Sequence, residues 1–132
     1  MPRQEPRWIS RLVVDAIQTD MLLTHGGMPG LRDENALESA LARPRQRLAY
    51  DPEAELAALA AAYGYGLARN HPYNDGNKRA AFVVMAVFLG LNGWELVASE
   101  TEVVTTIVTL ASGELNEDML ARWIRGHITK RV

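Results

Sequence analysis

At 132 residues, 48% of them apolar and 23% charged, the chain has the length and composition of one soluble globular domain spanning residues 1–132. A net charge of −2 provides no basic field for direct nucleic-acid binding, and the absence of cysteine excludes thiol catalysis, cysteine-ligated zinc and disulfides. No apolar run is long enough to span a bilayer, and the stretch from Met1 to Arg11 lacks the apolar core of a signal peptide, so the expected setting is the cytoplasm.

Helical spacing runs through the sequence. Ile9, Leu12, Val13, Ala16 and Ile17 mark the apolar face of a first helix that stops at Gly26-Gly27. Asp33 is the expected N-cap of a short second helix that carries Leu37, Ala40 and Leu41 and is closed by Pro44. The basic segment Arg43 to Asp51 then reads as an irregular loop. Asp51-Pro52-Glu53 supplies the cap, proline and acidic first turn of a third helix, which continues through Leu56, Leu59, Ala60 and Tyr63 to about Leu67. The run Ala80 to Leu91 is apolar on every side, as a helix at the centre of a bundle is, and Asn92-Gly93 ends it. A further helix is predicted from about Thr101 to Ala111, although the Val and Thr content of residues 103–109 also suits a strand. A last helix runs from the Asn116 cap to about His127. With no second strand pattern, repeat or linker, the expected fold is all-α, a compact helical bundle.

Between the third helix and the apolar one lies His71-Pro72-Tyr73-Asn74-Asp75-Gly76-Asn77-Lys78-Arg79. Asn, Pro, Asp and Gly are ordinary loop residues, and a plain connector between two helices explains them without chemistry. Phosphate chemistry explains them as well. A carboxylate can hold Mg²⁺, the N–H groups of a helix start can cradle an anion, and an upstream histidine can take a proton. Lys78 and Arg79 tilt the balance, because the macrodipole disfavours cations in a first helical turn unless an anion is bound there. A Walker A loop, a calcium loop and a His-Glu-x-x-His zinc site all fail on residue identity. His25 and His127, each at a helix C-terminus, read as structural. Arg69 and Asn70 read as solvated. So do Arg43, Arg45 and Arg47, ahead of a role in docking a target protein.

The segment resembles the motif of the Fic/Doc family, His-x-Phe-x-(Asp/Glu)-(Gly/Ala)-Asn-(Gly/Lys)-Arg, with His71, Tyr73, Asp75, Gly76, Asn77, Lys78 and Arg79 in the corresponding places. The likeness extends to Gly30-Leu31-Arg32-Asp33-Glu34-Asn35, to Leu37-Glu38-Ser39-Ala40-Leu41 and to Ala111-Ser112-Gly113-Glu114, which are similar to parts of Doc-type toxins. The resemblance implies a small all-helical fold whose motif loop leads into a buried central helix. It implies His71 as general base, Asp75 as the Mg²⁺ ligand, and the Gly76 backbone, Asn77, Lys78 and Arg79 on the phosphates of ATP. Pro72 and Tyr73 would support the loop, Tyr73 in place of Phe and with a hydroxyl that requires a partner.

Lys78 stands where the nucleotidyl-transferring branch has glycine, and where the Doc branch also has lysine. The Doc branch transfers the terminal phosphate of ATP to a threonine of elongation factor Tu. The resemblance thus favours a kinase that blocks translation over an AMP transferase, although Gly76, alanine in Doc itself, is more like the other branch. A non-catalytic binding module is the reading from a different class. Many relatives restrain themselves with a Ser/Thr-x-x-x-Glu helix, and no Ser or Thr here has Glu four residues later. The resemblance therefore implies an external restraint, a Phd-like antitoxin whose C-terminal segment folds as a helix in a groove.

Overall fold

The computed structural model of the protein describes residues 5–131; Met1 to Gln4, part of the N-terminal stretch read above, and Val132 lie outside the described residues. The described chain is all-α apart from one small sheet. Its elements are α1 (Arg11–His25), α2 (Glu34–Tyr50), α3 (Leu56–Asn70), α4 (Asn77–Leu91), β1 (Trp94–Leu96), α5 (Glu100–Ser112), α6 (Glu117–Arg125) and β2 (Ile128–Lys130). Side-chain caps start four of the helices: Ser10 for α1, Asp33 for α2, a Ser99–Glu102 capping box for α5, and Asn116 for α6. None of the described helices is long and apolar enough to cross a membrane.

The core forms around α3, which packs against α2, α4 and α6. Eleven of its fifteen residues are buried, against seven of fifteen in α4, so α4 enters the core as expected but α3 is the more enclosed. Small residues allow this. A Cβ on Gly64 would lie 2.3 Å from Met85 Sδ of α4, and one on Gly66 would lie 3.2 Å from Ala40 Cα of α2. Both neighbouring helices thus come closer than any larger side chain permits.

Three sequence expectations are corrected. The second helix is not closed by Pro44 but runs through it to Tyr50, and the expected loop 43–51 is mostly helical. Tertiary contacts offset the proline: Arg43 and Arg47 pair with Glu117 of α6, Arg43 lies over the Tyr65 ring, and Arg45 lies over Trp8. Arg43 and Arg45 remain exposed and Arg47 is half-buried, so the three are solvated as expected and also hold contacts within the fold. Asp51 belongs to the turn before α3, accepting from Glu53 N–H, and α3 begins only at Leu56. Finally, a sheet exists. β1 and β2 pair antiparallel with Trp94 opposite Lys130 and Leu96 opposite Ile128. Strands of three residues are too short to leave an alternating pattern. Residues 103–109 are helical.

α6 is tied to α5 through His127. One ring nitrogen lies 2.7 Å from the Trp123 carbonyl, the other 2.6 Å from Glu102 Oε2, and the ring stacks on Trp123 at 4.2 Å. Both neighbours are acceptors, so the ring satisfies both only as a doubly protonated cation. The Trp123 carbonyl and then Glu102 raise the His127 pKa above its ordinary 6.5. The Ser99 N–H and then His127 lower that of Glu102 from 4.5 to about 2. The raised His127 stabilises the fold below pH 6.5 and loses its effect as pH climbs through the raised value. The depressed Glu102 contributes above pH 4.5 and loses its effect as pH falls towards 2. The melting-temperature advantage of the wild type over His127→Gln should therefore be greatest between those bounds and shrink as pH rises. An advantage that stays flat into alkaline solution would contradict the charged pair.

Candidate active site

The motif loop begins where α3 ends. His71 is its C-cap, with φ 48° and ψ 56°, the one left-handed non-glycine among the described residues. The loop that follows lies antiparallel to residues 28–33. Arg32 and Asp33 N–H groups both donate to the Pro72 carbonyl, at 2.8 and 3.0 Å, Asn74 N–H donates to the Gly30 carbonyl at 3.0 Å, and Leu31 bridges to Tyr73. Pro72 and Tyr73 are buried. The Tyr73 hydroxyl finds its partner in α1, donating to Asp15 Oδ1 at 2.6 Å. Burial first, then the Asp15 carboxylate, push the phenol pKa upward, so it remains a neutral donor.

Asn77 closes the loop from the other end. Its side chain accepts from Tyr73 N–H at 2.9 Å and donates to the Tyr73 carbonyl at 2.8 Å. The amide expected on phosphate is thus buried and also holds the loop, and Asn77 adds its backbone N–H at the helix start. Gly76 precedes it at φ 79°, a left-handed conformation that favours glycine, and no side chain caps α4. The first intrahelical bond is Ala80 N–H to the Gly76 carbonyl, which leaves the N–H groups of Asn77, Lys78 and Arg79 pointing outward without partners among the described residues.

Asp75 is held on two sides. Its carbonyl accepts from Gln18 Nε2 at 3.1 Å, and its Oδ2 accepts from Met28 N–H at 2.6 Å. Oδ1 has no hydrogen bond among the described residues. Gly27 lies directly against it, since a Cβ there would stand 3.0 Å from Asp75 Cβ. The His71 ring and the side chains of Lys78 and Arg79 are exposed and have no hydrogen bond or ion pair among the described residues.

These groups face one open cleft of about 510 Å³. His71 and residues 74–79 line one side, and Val104, Ile107 and Val108 of α5 line the other. An uncapped helix start beside two unpaired cations suits an anion of phosphate type. Among the described residues no group of three His, Cys, Asp or Glu side chains could hold a metal. The single free oxygen of Asp75 fits Mg²⁺ only as an ion shared with phosphate oxygens, its usual manner of binding at phosphate sites.

The structure brings all six expected site residues to this cleft. Sequence reasoning missed the apolar wall of α5 and four supports, Asp15, Gln18, Met28 and Arg32. The face predicted for α1 is also rotated. Val14 and Gln18 are buried while Leu12 is 79% exposed, because α1 turns polar residues inward to bond the motif loop. Gln18 sits four residues beyond Val14, which is the only spacing signal it leaves. Asn70, expected to be solvated, donates to the Ala36 carbonyl at 3.1 Å.

The Tyr73–Asp15 bond has a measurable consequence. Asp15→Ala strands a buried hydroxyl and is expected to destabilise the fold by about 1–3 kcal/mol. Adding Tyr73→Phe removes the stranded group and should recover most of the loss in urea unfolding. No recovery in the double variant would show that Asp15 acts through Arg11, 3.3 Å away, instead.

The sequence is similar to that of known proteins. A sequence model of the Fic/DOC family matches residues 8–89. The chain is 32% identical over 119 residues to "Protein kinase doc" of Escherichia phage P1, covering 90% of this chain and 94% of that protein. It is 40% identical over 77 residues to "Toxin Doc" of Mycolicibacterium smegmatis, covering 58% of this chain and 59% of that one. The chain belongs to the Fic/Doc family.

Proposed function

We propose that the protein is the toxin of a toxin–antitoxin module and transfers the terminal phosphate of ATP to a protein hydroxyl, in the cytoplasm. The acceptor in this reading is a threonine of a translation factor such as elongation factor Tu, and the modification blocks translation. The observation that carries the reading is the uncapped start of α4 with its two unpaired cations, which lines one cleft together with His71 and Asp75. The names of the two relatives, a protein kinase and a toxin, support it.

In this mechanism His71 takes the proton of the acceptor hydroxyl. The hydroxyl oxygen then bonds to the terminal phosphorus, the bond from that phosphorus to the bridging oxygen breaks, and ADP leaves. The free N–H groups of Asn77, Lys78 and Arg79, with the Arg79 fork, bind phosphate oxygens. Lys78 neutralises charge on the transferred or the leaving phosphate. Asp75 Oδ1 is the oxygen that would hold Mg²⁺, which when bound neutralises and orients two phosphates. A Phd-like antitoxin, its C-terminal segment helical in a groove, restrains the enzyme.

Incubation with ATP labelled separately at the α- and γ-phosphates tests this. Transfer of the γ-label to the acceptor is expected. Transfer of the α-label would mean AMP transfer, the reading that Gly76 favours because Doc itself has alanine there and the other branch is more like this chain. Growth arrest that survives replacement of both His71 and Asp75 would mean a non-catalytic binding module.

A further inference from the structure

We infer that Arg32 is a positioning residue for His71, fixing the backbone from which the imidazole projects; the inference rests on the phosphotransfer reading above. α3 ends on a histidine where helices commonly use glycine. At φ 48° and ψ 56° the His71 Cβ crowds the following carbonyl, a strained conformation for a non-glycine residue. Such a residue persists only where its surroundings over-determine it.

Arg32 does that. Its Nη2 donates to the Asn70 carbonyl at 2.8 Å, its Nε donates to the His71 carbonyl at 2.5 Å, and its backbone N–H donates to the Pro72 carbonyl at 2.8 Å. One residue therefore bonds three successive carbonyls across the turn. The last carbonyls of a helix have no partner of their own, and a guanidinium fork there also meets the negative end of the helix dipole. The contact is reinforced nearby, where Asn70 reaches the Ala36 carbonyl in the first turn of α2.

The imidazole itself has no hydrogen bond among the described residues. Its place in the cleft is thus set by the backbone at residue 71, and that backbone is set by Arg32. Rotation there swings the ring on its Cα, and a displacement of 1 Å at a catalytic group costs about 10²-fold in rate.

The test compares Arg32→Met and Arg32→Lys with the wild-type chain. Three quantities are measured: steady-state transfer of γ-labelled phosphate to elongation factor Tu, the melting temperature, and the backbone ¹³C shifts and coupling constant of His71 by NMR. Arg32→Met should lower kcat about 10²-fold, leave KM for ATP unchanged and move the His71 resonances away from left-handed values. Arg32→Lys keeps the charge but not the fork, and should fall between. An unchanged kcat in Arg32→Met overturns the inference. So does a kcat loss with His71 resonances unmoved, which would place the effect elsewhere. If the wild type transfers no phosphate, the phosphotransfer reading fails, while the His71 resonances of Arg32→Met still decide whether Arg32 sets its backbone.

Discussion

His71→Ala is expected to lower phosphotransfer by about 10²–10⁴-fold, the usual contribution of a positioned general base, and to release growth arrest. The ring is exposed and makes no hydrogen bond among the described residues, so its removal empties no part of the core. Alanine does not relieve the left-handed backbone at this place. His71→Asn is therefore the cleaner variant, because asparagine tolerates that conformation better than most residues. Both should unfold within a few tenths of a kcal/mol of the wild type, as exposed substitutions ordinarily do. Activity in His71→Asn close to that of the wild type would sink the base assignment. A parallel loss of activity and of folded protein in both variants would instead point to the turn.

The largest effect on stability is expected near the C-terminal end of α4. Phe88 is fully buried, stacked on Trp8 at 5.9 Å and tilted against Tyr63 at 5.1 Å. It is one of the contacts that join α4 to α3, and it reaches the segment before α1, where the Tyr63 hydroxyl also accepts from Ile9 N–H. Phe88→Ala should cost about 3–5 kcal/mol, a transfer loss plus an unfilled cavity. The urea midpoint should fall with little change in slope. Residue 88 lies eleven residues from the start of α4, about 16 Å along a helix, so the phosphate end is not touched directly. Activity per folded molecule in the cold should accordingly persist. A cost below about 1 kcal/mol would mean that the aromatic cluster relaxes to fill the gap.

Much of this could be read in advance wherever the signal is local. Caps at Asp33 and Asn116, glycines past the helix ends and the apolar run after the motif all act within a few residues, and each helix they announced is present. Local rules misled where distant contacts outweighed them. Pro44 should end a helix, yet Glu117, more than seventy positions later, holds the arginines on either side of it. Polar Asp15 and Gln18 face inward on α1 because Tyr73 and the Asp75 carbonyl stand opposite, and no hydrophobic pattern records such a match.

The candidate site divides in the same way. The chain by itself determined which chemistry is at hand, because His71, Asp75, Lys78 and Arg79 lie within nine residues at the start of a helix, and that placement follows from spacing alone. It also carried the family resemblance. Only the tertiary structure decided which of these groups are free to act. Asn77 gives one donor and one acceptor to holding Tyr73, one Asp75 oxygen is taken by Met28, and the opposite wall comes from α5. The reason is physical: a residue's type is written locally, but whether its hydrogen-bonding capacity is already spent depends on neighbours that folding alone brings within 3 Å.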